Sequence, residues 1–191
     1  LDNIDISFES GAIVNANYTG NNQYVKSYFS AFAIGQNVTL DGLVLDASEL
    51  RYGIHPDFHA KQTEKLTIKN CDLHHYKSSD SGVNNNQAIG AGLGVYSIWE
   101  IENCIFRSDT SNPVLRIHNN ASENAMSKIL IKDCYIVGNG YILLNSYSTS
   151  TKQTNALVTG CSWGNPAVVG KETSESNDNI TMYAWNNELR S

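Results

Sequence analysis

The chain has 191 residues, 41% hydrophobic and 17% charged, with 10 Tyr and only 3 Pro, a composition that fits one folded domain spanning residues 1–191. Its net charge of -6 and pI near 5.3 leave no polybasic footprint, which argues against nucleic-acid binding. No run approaches the roughly 18 apolar residues of a membrane-spanning helix, so membrane insertion is not expected, and no signal-peptide pattern opens the chain.

The chain begins in strand alternation, "LDNIDISFESGAIVNAN", and then presents "VTLDGLVLDA" from Val38. After a polar connection the same frame returns as "LTIKNCDLHH" from Leu66, "WEIENCIFRS" from Trp99, "ILIKDCYIVG" from Ile129 and "ALVTGCSWGN" from Ala156. Every cysteine falls in one slot of this frame, Cys71, Cys104, Cys134 and Cys161, at steps of 33, 30 and 27 residues. Gly42 and Leu43 fill the bend and cysteine slots of the earlier line. A period in this range marks a repeat architecture whose units bury their apolar faces against one another.

Within each line, apolar residues alternate with polar ones on both sides of a single Asn, Asp or Gly. Alternation of period two predicts half-buried strands, and the intervening residue tolerates the left-handed backbone that a sharp bend requires. A third apolar run follows in each unit: "YGI" at Tyr52, "LGV" at Leu93, "VLRI" at Val114, "YILL" at Tyr141 and "AVV" at Ala167. The segments Lys77–Gly92, Asn119–Ser127 and Ser146–Asn155 are rich in turn formers and predict surface loops. The fold class that follows is all-β, a single-stranded right-handed parallel β-helix with three short strands per turn.

Rungs of such a solenoid stand about 4.7 to 4.9 Å apart, so equivalent side chains stack in columns. The four cysteines are expected as a buried, reduced ladder, with Asn70, Asn103 and Asp133 stacked beside it at the bend. Stacked Cβ atoms at the rung spacing are too far apart for an unstrained disulfide, and thiols in a line do not make the tetrahedron that zinc wants.

The lines "NVTLDGLVLDAS", "KLTIKNCDLHHY" and "KILIKDCYIVGNG" resemble rungs of the pectate-lyase-like β-helix superfamily, over roughly residues 4 to 170. That superfamily includes pectinases, alginate-modifying enzymes, and tailspikes and appendages of bacteriophages. The resemblance is specific for fold and weak for activity, because function resides in sites grafted onto a fold. Polygalacturonase-like motifs are missing apart from "LRIH" at Leu115, and neither the aspartate cluster nor the "WiDH"-type strand of pectate lyases is present. What the resemblance implies is a phage tail or appendage component, virion-borne or extracellular, that recognises host-surface polysaccharide. It also implies a homotrimer. The chain opens and stops in strand alternation with no amphipathic cap, so the expectation is a segment of a longer protein, or a protomer whose ends are capped by other domains or chains. A secreted polysaccharide lyase or glycoside hydrolase is the alternative, and a structural spacer is a third.

Candidate site residues come from the third run and the loop before it. Alternation assigns His55, Tyr96, His118 and Asn145 to one outward stripe, with Arg116 in the stripe beside it. Together with Arg51 these form a candidate glycan-binding face, since aromatic rings stack on pyranoses while Asn, Arg and His reach hydroxyls. The loop "LDASELRYGIHPDFHA" holds Asp46, Glu49 and Asp57, candidates for the carboxyl pair of a glycoside hydrolase. His55, His59, His74 and His75 with Asp57 have ligand chemistry for zinc but no ligand-spacing motif, so neither a metal nor another cofactor is expected.

Overall fold

The structure is a computed structural model, and it describes residues 4–15, 30–34, 37–47, 52–56, 65–74, 87–90, 98–108, 113–119, 128–138, 140–146, 154–163, 168–169 and 180–189. Taken rung by rung, the first turn contains β1 (Ile4–Ser7), β2 (Ile13–Asn15) and β3 (Ser30–Ile34), and the second contains β4 (Val38–Asp41), β5 (Val44–Asp46) and β6 (Tyr52–Pro56). The third contains β7 (Lys65–Lys69), β8 (Asp72–His74) and β9 (Gln87–Gly90), and the fourth β10 (Ile98–Glu102), β11 (Ile105–Ser108) and β12 (Pro113–Asn119). The fifth has β13 (Lys128–Lys132), β14 (Tyr135–Gly138) and β15 (Tyr141–Ser146), and the sixth β16 (Thr154–Thr159), β17 (Ser162–Trp163) and β18 (Val168–Val169). A further rung follows with β19 (Ile180–Trp185) and β20 (Glu188–Leu189).

Among the described residues each strand pairs in parallel with its equivalents in adjacent rungs, giving two sheets of seven strands and one of six. The molecule is therefore a parallel β-helix. Sheet 1 runs from β1 to β19, sheet 2 from β2 to β20 and sheet 3 from β3 to β18. Between them lies one continuous core that includes Leu40, Ile68, Leu73, Trp99, Ile101, Phe106, Ile131, Ile136 and Leu144. Burying each such side chain contributes about 1.5 to 3 kcal/mol.

The bend between sheets 1 and 2 follows the predicted frame. Gly42, Asn70, Asn103, Asp133, Gly160 and Asn186 all have positive φ, between 50° and 78°. The hydrogen-bond ladder runs through the bend without a gap: Asn103 N–H donates to Lys132 O at 2.9 Å, and Ile105 N–H to Cys71 O at 2.8 Å. Asn103 Nδ2 donates to Asn70 Oδ1 at 2.8 Å, and Asn70 Nδ2 donates to Asp41 Oδ1 at 2.7 Å. The side-chain ladder thus continues onto Asp41, one residue before the bend of the second rung. The Asn70 amide holds the Asp41 carboxyl below its usual range, helped by Lys69 at 3.2 Å.

Sheet 3 departs from the sequence alignment. The third strand of rung three is Gln87–Gly90, inside the segment expected to be a loop; Leu93–Val95 lies outside the described residues. Ile54 pairs with Ile89 and Ile89 with Leu115, not with Ile117. The register also shifts between Pro113 and Leu115 where β12 meets β15. Tight packing accompanies this strand: Gly53 is buried, and a Cβ there would come within 2.7 Å of Ala88 O and 3.1 Å of Leu45 Cδ2.

Candidate glycan-binding face

The predicted glycan-binding stripe is divided by this register. His55 shares a column with Gly90, Arg116 and Leu143, whereas His118 pairs with Asn145 two residues further along. His55 is half-buried, its ring stacked on Tyr52 with centroids 4.6 Å apart and planes at 26°. Arg116 is only 5% exposed, which corrects the expectation that it stands on an open outer face. The physical reason is that sheet 3 is buried on both sides here: Val114 to Ile117 and Ile142 to Leu144 are all buried. Parallel strands covered on both faces have continuous apolar runs, as "YILL" does, and that run was the available signal. Arg51, Tyr96, Glu49 and Asp57 lie outside the described residues.

Asp46 stands on a different sheet from His55, on the outer side of sheet 2. It pairs in register with His74, and the two line a groove of about 220 Å³ with Ile13, Val44 and Leu45. Beside them Arg107 grips Asp72 through two hydrogen bonds of 2.8 Å, and His74 Nε2 comes within 2.9 Å of Asp72 Oδ1. Asp72 is thereby held in a bidentate pair with a guanidinium. His55 and His74, two of the histidines weighed as metal ligands, stand on different sheets; His59, His75 and Asp57 lie outside the described residues.

The outer face of sheet 1 carries the feature that sequence reasoning missed. Three outward columns run along it, and the register joins Glu100, Leu130, Leu157 and Tyr183 in the middle one. A second column joins Glu102, Lys132, Thr159 and Trp185, and a third Ile98, Lys128, Asn155 and Thr181. Tyr183 is 60% exposed and Trp185 73%, side by side on one face of β19. A groove of about 430 Å³ adjoins Tyr183, lined by Ile98, Glu100, Lys128, Leu130, Asn155 and Leu157 among others. Toward the first rungs the same face becomes polar, and a second groove is lined by Asp5, Asn37, Thr39, Lys65 and Thr67. The missed signal was positional: in "MYAWNN", Asn186 and Asn187 fill the bend and cysteine slots, which sets Tyr183 and Trp185 outward.

Chemically, this end of sheet 1 offers two rings with open faces, an apolar floor of Leu130 and Leu157, and amide, hydroxyl, ammonium and carboxylate groups within the same few rungs. Comparison with protein-family models, curated proteins and solved structures gives no significant match.

Proposed function

We propose that this β-helix is a glycan-recognising domain of a bacteriophage tail or appendage protein, and that it binds host-surface polysaccharide along the outer face of sheet 1. The observation that carries the binding reading is the exposed Tyr183, which lines the groove, with the exposed Trp185 two residues along the same strand. Aromatic faces stack on pyranose rings, while Asn155, Thr159, Lys128, Lys132 and Glu100 supply donors and acceptors for hydroxyls and carboxylates. The phage setting rests on the resemblance of the rungs.

A glycoside hydrolase needs two carboxyls facing one bond. Among the described residues, Asp46 lines a groove with His74, while neighbouring Asp72 is held by Arg107.

The test is a polysaccharide array probed with the intact protein and with Tyr183→Ala/Trp185→Ala. Loss of binding by a variant with unchanged circular dichroism is the expected result; undiminished binding removes this face from the proposal. Release of oligosaccharides that stops in Asp46→Asn would select the enzyme alternative. Light scattering on the intact protein reads the trimeric assembly that the resemblance implies.

A further inference from the structure

The four cysteines are free, buried and at most 2% exposed, and they repeat one geometry with little variation. The Sγ atoms of Cys71, Cys104, Cys134 and Cys161 lie 3.1, 3.2, 3.3 and 3.4 Å from the carbonyl oxygens of Lys69, Glu102, Lys132 and Thr159. They also lie 3.8, 3.6, 3.7 and 3.8 Å from the carbonyls of Leu40, Ile68, Ile101 and Ile131 in the preceding rung. The same partners in each rung mean the same side-chain rotamer. Neighbouring sulfurs are therefore related by the rung translation, about 4.7 to 4.9 Å.

That spacing has a chemical meaning. A metal–thiolate bond is about 2.3 Å for a first-row ion such as zinc and somewhat longer for heavier ions, so two collinear bonds span about 4.6 Å or slightly more. A column of thiols cannot surround a tetrahedral ion, but consecutive members are spaced to hold a linear one. Soft thiolate ligands select soft ions. We infer that adjacent rungs of the cysteine ladder form binding sites for a soft, two-coordinate d10 ion, one between Cys71 and Cys104 and one between Cys134 and Cys161.

Burial penalises net charge. A divalent ion leaves each site neutral: two S–H bonds break, two metal–sulfur bonds form, two protons pass to solvent, and no electron is transferred. This favours Hg(II) over monovalent ions. Bridging all four sulfurs in one thread would require each inner sulfur to hold two collinear metals, so the ladder fills as two separate pairs.

The experiment uses the intact reduced protein equilibrated with Hg(II) in a glutathione buffer, with retained metal read by native mass spectrometry. Glutathione strips ions held by single thiols, whereas a preformed pair resists by its effective concentration. Loading proceeds through local opening, so incubation continues until the mass is constant. The wild type is expected to retain two ions. Cys71→Ser/Cys161→Ser keeps the adjacent pair Cys104 and Cys134 and should retain one. Cys71→Ser/Cys134→Ser keeps two thiols separated by an intervening rung and should retain none. Equal retention by the two double variants, or none by the wild type, overturns the inference. Circular dichroism checks each fold, and Cys104→Ser/Cys161→Ser supplies a second non-adjacent pair if the first fails to fold.

Discussion

At the bend between sheets 1 and 2, successive rungs repeat a left-handed residue followed by an inward side chain, with a cysteine in that slot in four of them. In sheet 3 the register slips where β12 meets β15, and Ile54 stacks through Ile89 onto Leu115, where alternation places it in a column with Ile117. The same solenoid contains both regions. Where the backbone demands a particular residue type, position in the rung is written locally; where it does not, connection length and packing choose the register. The outer faces follow the same division. The inner strands of sheet 1 alternate cleanly and β19 leaves Tyr183 and Trp185 in the open, while sheet 3 buries even Arg116.

The core offers the largest effect with which to challenge this contrast. Ile131→Ala in sheet 1 and Leu144→Ala in sheet 3 should each lower stability by about 2 to 5 kcal/mol in urea titrations. A cost at Leu144 far below that at Ile131 would mean that sheet 3 is not part of one cooperative core. Next in size is Arg116→Ala, for which loss of a buried charged side chain predicts about 1 to 3 kcal/mol by the same titration. If stability were unchanged, the outer side of sheet 3 would be open after all and the comparison would fail. The smallest effect sharpens the account of the bend. Asn103→Ala loses the amide contact to Asn70 and forces a Cβ-bearing residue without a polar tip to hold φ near 50°, a penalty of about 1 to 2 kcal/mol. Asn103→Gly keeps the backbone and loses only the amide contact, so thermal melts should place it between Asn103→Ala and the wild type.

Much of the architecture was legible in the chain. The spacing of the cysteines, the Asn, Asp or Gly before them and the flanking alternation identified the rungs, the interior ladder and the bend, because these are local constraints repeated at a regular interval. Core positions such as Leu73, Ile101 and Ile131 follow from the same parity, Leu144 follows from the alternation of the third run, and all are buried. The candidate site was less legible. His55 and Arg116 share a column, Asp46 belongs to another sheet, and none of this is contained in alternation alone.

By itself, then, the sequence determined that this is a repeating solenoid with parallel rungs, where its chain bends and which side chains point inward around that bend. Tertiary structure decided which residues of different rungs become neighbours. It assigned Gln87–Gly90 to sheet 3, paired Ile89 with Leu115, buried Arg116, and lined up Leu130, Leu157 and Tyr183 into one exposed column. The reason is that a strand's own pattern fixes only which face a side chain takes. A shift of two residues preserves that pattern while changing every neighbour, so the choice between such registers falls to packing across rungs.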